Sequence, residues 1–106
     1  MSNKENTSKF CICRHCGFQI TFDNGYTVSV QFGPGHYCEN YDRDFMEPSA
    51  ANYWKSGNAE VAVLDDNWDF VTRNVIDDGD DVLPSVTPNE LAKIIATVSA
   101  WPAQKE

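Results

Sequence analysis

Residues 26–32 read Tyr-Thr-Val-Ser-Val-Gln-Phe, with an apolar or aromatic side chain at every second position. A repeat of two puts Tyr26, Val28, Val30 and Phe32 on one side of an extended chain, so this segment is a strand with one face to bury. Asp23-Asn24-Gly25 stands immediately before it. Asn-Gly suits the two positive-φ positions of a type I′ turn, and the pair therefore predicts a hairpin whose first strand lies within Phe10–Phe22.

The run Phe10–Phe22 alternates loosely and is interrupted by a cysteine turn. Gly33-Pro34-Gly35 ends the second strand. From Cys38 to Asn58 no period is visible, which marks a long loop, with a helical turn expected at Ala51–Lys55. Ala59-Glu60-Val61-Ala62-Val63-Leu64 is a second β-rich run; Asp65-Asp66-Asn67 reads as its turn, and Trp68-Asp69-Phe70-Val71 as the strand that returns. Thr87-Pro88-Asn89-Glu90 then carries an N-cap, a proline at the first helical position and the glutamate of a capping box. Leu91, Ile94, Ile95 and Val98 form one apolar stripe at helical spacing, and Pro102 stops the helix. The expected fold is a small α+β domain: an antiparallel sheet of two hairpins packed by one C-terminal helix. Residues 1–9 read as a disordered tail and 10–106 as one domain.

At 106 residues, 42% of them hydrophobic, the chain can form one modest core. No apolar run reaches the length of a membrane span, and the polar start from Met1 to Lys9 has no export-signal character. A reducing, cytoplasmic setting is therefore expected, in which the four cysteines are thiols or metal ligands rather than disulfides. The formal charge of −8 disfavours direct binding to nucleic acid or to anionic lipid. The charge is uneven: Asp65, Asp66, Asp69, Asp77, Asp78, Asp80 and Asp81 fall within one stretch that holds a single cation, Arg73. That stretch is a solvated face, or an interaction surface for a basic partner.

Cys13-Arg14-His15-Cys16-Gly17-Phe18 has the form of half a tetrahedral thiolate site, the glycine supplying the positive φ that such a turn usually needs. Cys13 and Cys16 are the leading ligands, Cys38 the third, and Cys11 or His36 the fourth. If the Asn24-Gly25 turn joins the strands, the Cys13–Cys16 and His36–Cys38 pairs meet at one end of the hairpin. Thiolates and an imidazole suit zinc, and a closed four-ligand site would be structural. The competing reading is a set of reduced thiols packed as small hydrophobes. His15 reads as a solvent-facing turn residue. Redox chemistry is disfavoured because a strand, not a helix, follows the motif.

The segment Asn24–Cys38 (NGYTVSVQFGPGHYC), the run Ala59–Leu64 and the Thr-Pro-x-Glu helix start together resemble a group of small uncharacterised proteins of tailed bacteriophages. The likeness spans residues 24–100, and the start, residues 10–18, separately resembles a zinc-ribbon knuckle. The resemblance implies a viral accessory protein of the infected bacterial cytoplasm. It carries no activity and no site residues.

Catalysis lacks a constellation, and no enzyme is expected. Gly33-Pro34-Gly35 lacks the Lys-Ser/Thr ending of a phosphate loop. The aspartates of 77–81 lack EF-hand spacing. Trp54, Trp68 and Trp101 read as packing residues. Three functions compete: an inhibitor that binds a host protein, such as a nucleic-acid-binding one or part of a defence system, through the acidic surface; a nucleotide-sequestering protein built on the Gly33–Tyr37 loop and residues 39–58, with Arg43 and Lys55 for phosphate; and a zinc-ribbon-like structural adaptor. The first is preferred.

Overall fold

The computed structural model describes residues 8–13, 16–34, 36–42, 55–76 and 80–104. Among them, β1 (Lys9–Cys13), β2 (Gly17–Thr21), β3 (Thr27–Gln31), β4 (Ala59–Leu64) and β5 (Leu83–Val86) form one sheet in chain order. Every neighbouring pair is antiparallel. The helix α1 (Pro88–Ser99) follows the last strand. This is the expected small α+β architecture, but the two predicted hairpins are not separate ribbons. They merge into one meander, because β3 pairs directly with β4, Val28 opposite Val63 and Val30 opposite Val61.

Residues directly opposite one another share a face. One row across the sheet is therefore Phe10, Ile20, Val28 and Val63, and the next is Ile12, Phe18, Val30 and Val61. The β3 and β4 members are buried, and they cluster with Leu83 and Val86 of β5 and with Ile94 and Val98 of α1. Leu91 and Ile95 flank that stripe, half-buried, as the helical spacing requires.

Three local expectations change. The loop between β2 and β3 is not a two-residue type I′ turn. Phe22 C=O accepts from Gly25 N–H at 2.9 Å, Phe22 N–H donates to Tyr26 C=O at 2.9 Å, and only Gly25 in the loop has positive φ, 91°. That is a three-residue loop closed by a glycine bulge. Gly17 does not have positive φ; a Cβ there would fall 2.0 Å from the Val30 carbonyl oxygen, so the position is glycine because two strands approach too closely for a side chain. Finally, residues 68–71 do not form a full return strand. They make an isolated bridge, Leu64 to Phe70, and one bond from Val71 N–H to Val63 C=O at 2.8 Å, before a 3₁₀ turn at Thr72–Asn74. The true partner of β4 is β5, whose Pro84 disguises it in the sequence. Proline is tolerated there because β5 is an edge strand. Most of the helical turn expected at Ala51–Lys55, and most of the 1–9 tail, lie outside the described residues. Lys9 itself already pairs with Thr21.

The helix begins as its sequence dictates. Thr87 is the N-cap, Pro88 stands at N1, and Thr87 and Glu90 exchange both capping-box bonds. Hydrogen bonds from the Thr87 backbone and side chain hold the Glu90 carboxyl below its ordinary range, and Lys93 adds to the effect. The far end is fastened by the hairpin. Asn24 Nδ2 donates to Val98 C=O at 2.8 Å and to Trp101 C=O at 3.0 Å, while Asn24 Oδ1 accepts from Tyr26 N–H at 3.0 Å. The Tyr26 and Trp101 rings meet edge to face at 4.8 Å. Replacing Asn24 with Ala removes a bond from each of two carbonyls at the helix end, of which Val98 C=O keeps Trp101 N–H, and leaves the Tyr26 N–H without its acceptor. A loss of about 2 kcal/mol, and a Tm lower by about 10 °C in a thermal melt followed by circular dichroism, is expected.

Candidate functional site

The meander sorts polar residues to its two ends. Thr27 lies opposite Leu64, so the Asp23-Asn24-Gly25 loop and the turn after β4 share an end. Val61 lies opposite Leu83, which brings the segment before β5 to that end as well. Of the predicted surface residues, Asp65, Asp66, Asp69, Asp80 and Asp81 are thus gathered together, with Asp23 added to them. Asp77 and Asp78 lie outside the described residues.

These carboxylates do different work. Asp65 Oδ1 accepts the N–H groups of Asn67 at 2.9 Å and Asp69 at 3.0 Å, so it builds the turn. Asp81 stands 3.7 Å from the Arg73 guanidinium, both groups well exposed; such a pair contributes little to stability. Asp66 and Asp69 are exposed. At the top of the turn Trp68 is held at φ 65° and remains 59% exposed. It is not the packing residue that its type suggests. A cleft of about 310 Å³ beside it is lined by Lys9, Thr21, Asn24, Asp65, Asp66 and Trp68, among others.

Sequence reading missed the residue that anchors this end. Thr72 is fully buried. Its Oγ1 accepts from Val63 N–H at 2.9 Å and donates to Asp81 C=O at 2.6 Å, joining β4 to the acidic segment before β5. A lone threonine in a polar stretch gives no signal of such a role.

At the opposite end the cysteine turn closes β1 and β2, with Cys16 N–H bonded to Cys13 C=O. Phe32 N–H donates to Cys16 C=O at 2.7 Å, which brings Gly33 against Cys16. A Cβ at Gly33 would lie 2.9 Å from Cys16 Sγ. His36 Nδ1 is 3.3 Å from the Gly33 carbonyl oxygen, and Cys38 Sγ is 3.7 Å from the same oxygen. Cys16, His36 and Cys38 thus each lie against Gly33 at this end of the sheet. Cys13 is half-buried in the adjoining strand end, whereas Cys11 is exposed and its Sγ turns to Ile12 C=O. Among the described residues no group of three or more His, Cys, Asp or Glu side chains is arranged to hold a metal ion. His15 lies outside those residues.

Around Gly33 the space is taken up. Cys16 fills the space beside Gly33, and the Gly33 carbonyl takes His36 N–H. Lys55 is exposed; Arg43 and Trp54 lie outside the described residues. What the structure adds is that the two feet of the long loop are stitched together. Buried Asn40 donates to Phe32 C=O at 2.7 Å and to Lys55 C=O at 3.2 Å, and Glu39 Oε1 accepts Gly57 N–H at 2.9 Å. No helix among the described residues is long and apolar enough to cross a membrane.

No family model, curated protein or solved structure matches the chain. Its site stands on geometry alone. Thr72→Val keeps the shape of the side chain but leaves Val63 N–H and Asp81 C=O without their partner. A loss of about 2–3 kcal/mol in chemical denaturation is expected, with Thr72→Ser retaining most of the stability.

Proposed function

We propose that this protein is a non-catalytic binder whose acidic end docks on a basic surface of a partner protein. The observation that carries the reading is Trp68, an exposed residue on a left-handed turn, with Asp65, Asp66 and Asp69 in the same turn and a cleft beside it that Asp65 and Asp66 also line. An exposed aromatic face bordered by carboxylates suits a lysine or arginine side chain, through cation–π attraction and charge together. Holding a bulky residue at positive φ costs energy that the Asp65 turn must offset, and such strain tends to gather where a side chain is presented for use. The resemblance to small tailed-phage proteins makes a host bacterial protein the natural partner class, one with a basic nucleic-acid channel or a role in defence being the closest fit to clustered aspartates.

The test is a pull-down from bacterial lysate with immobilised protein, identified by mass spectrometry and repeated with variants. Asp66→Asn, Asp69→Asn, Asp80→Asn and Asp81→Asn combined, with Asp65 left to hold its turn, should abolish capture without loss of fold. Trp68→Ala should weaken binding about tenfold, near 1.4 kcal/mol. Capture of the wild type should fade between about 0.1 and 0.5 M salt. Binding that survives the four substitutions or the salt would overturn the reading.

A second reading, a structural zinc adaptor, is favoured by His36. A carbonyl oxygen only accepts, so a neutral His36 that bonds Gly33 through Nδ1 carries its proton there, which leaves the Nε2 lone pair free for a metal. Cys13, Cys16 and Cys38 would complete the set, with Cys11 as the alternative fourth ligand, only by drawing closer than they stand here, since no three such groups are arranged for a metal among the described residues. Protein purified without added zinc should then contain one zinc ion per chain by elemental analysis, and Cys16→Ser should lose it. Metal-free protein with an unchanged melt on zinc addition would rule this out.

A further inference from the structure

The two edges of the sheet are treated differently. At β5, Pro84 has no N–H to offer, Ser85 is held at φ 55°, and Ser85 N–H already donates to Tyr37 C=O at 2.9 Å. That edge is blunted in the manner of a strand protected from pairing. At β1 there is no proline, no glycine and no bulge in Lys9–Cys13. Its backbone polarity can be worked out from the sheet. Phe22 N–H bonds Tyr26 C=O across the β2–β3 loop, so even-numbered β2 residues turn their backbone groups to β3 and odd-numbered ones to β1. Since Gln19 lies opposite Cys11, Cys11 is bonded inward, and the N–H and C=O groups of Phe10 and Ile12 face away from the sheet.

The side chains of the same two residues are also uncovered. They belong to the apolar face, in the rows that end in Val28, Val63, Val30 and Val61. Exposure runs from 0–2% for those four valines to 81% for Phe10 and 80% for Ile12. The core face thus continues past the edge of the helix and stops at an open strand.

We infer that β1 pairs with β1 of a second copy of this chain, antiparallel about a two-fold axis at Cys11, to make one ten-stranded sheet. The strand is self-complementary in that register. Phe10 lies opposite the other copy's Ile12, and Ile12 opposite its Phe10, so both outward pairs exchange backbone hydrogen bonds and four apolar side chains cluster on one face. Cys11 faces its twin in a non-hydrogen-bonded pair, and Lys9 faces Cys13, so no like charges are opposed within the strand. Charge selects this edge too. Residues 8–22 contain no aspartate or glutamate in a chain of net charge −8, so this is the one hairpin on which two copies meet without carboxylate repulsion. The two apolar side chains cover on the order of 300 Å² per copy, which with the backbone reaches the low end of specific interfaces and fits a dimer that dissociates in the micromolar range.

The full-length protein should sediment, in analytical ultracentrifugation under reducing conditions, as a monomer–dimer equilibrium between about 1 and 200 µM. Ile12→Lys should shift it to monomer at least tenfold in Kd, with an unchanged melt, because the side chain is outside the core. In a non-hydrogen-bonded pair the Cα atoms are about 4.5 Å apart, within disulfide range. Treatment with diamide, the two-electron oxidant, should therefore trap a covalent dimer on a non-reducing gel, and Cys11→Ser should abolish it. A monomer at every concentration, a dimer indifferent to Ile12→Lys, or a cross-link that does not need Cys11 would each overturn the proposal.

Discussion

The Asn24 carboxamide is the point on which the layers depend. Its two donor bonds hold the end of α1 to the loop between β2 and β3, and its acceptor shapes that loop. With the capping box fixing the other end beside β5, the helix has one line along which it can lie. That line covers β3, β4 and β5 and leaves β1 bare. Gln104 extends the same junction, accepting Asp66 N–H at 3.0 Å while its amide reaches Asn24 C=O. The acidic turn, the hairpin loop and the chain after the helix are therefore one assembly.

Antiparallel connectivity does the rest of the sorting. Each reversal sends alternate loops to opposite ends, so aspartates distant in sequence gather at one end and sulfur and imidazole groups at the other. The separation matters electrostatically. Carboxylates held at one end of a small sheet create a directional field that a basic partner can follow, while the β1 hairpin, which carries no carboxylate, remains available for a different contact. The two proposed surfaces do not compete for residues, apart from Lys9, which borders the acidic cleft and also lies in β1.

Much of the fold was legible because the signals are local. Alternation at 26–32 and 59–64 gave β3 and β4, and Thr87-Pro88-x-Glu90 gave the helix start to the residue. The failures are equally physical. β5 carries a proline, so its run is broken in sequence although an edge strand accommodates it. The turn at Asn24-Gly25 was placed correctly but its type was not, since Asn24 is recruited by carbonyls more than seventy positions away. Trp68 was read as packing because tryptophan usually is; its exposure follows from a backbone angle imposed by Asp65.

By itself the sequence determined where β3, β4 and the helix lie, which of their faces are apolar, and that the charge is negative and concentrated. Those properties depend on side-chain period, capping chemistry and composition, all of which act over a few residues. Tertiary structure alone decided that two ribbons join into one meander, that Thr72 and Asn40 become buried anchors, that Cys16, His36 and Cys38 meet at Gly33, and that Phe10 and Ile12 stay in solvent. Each of these depends on which strand lies beside which, and strand order is settled by the collective burial of the valine face under a single helix, a long-range balance that no short window contains.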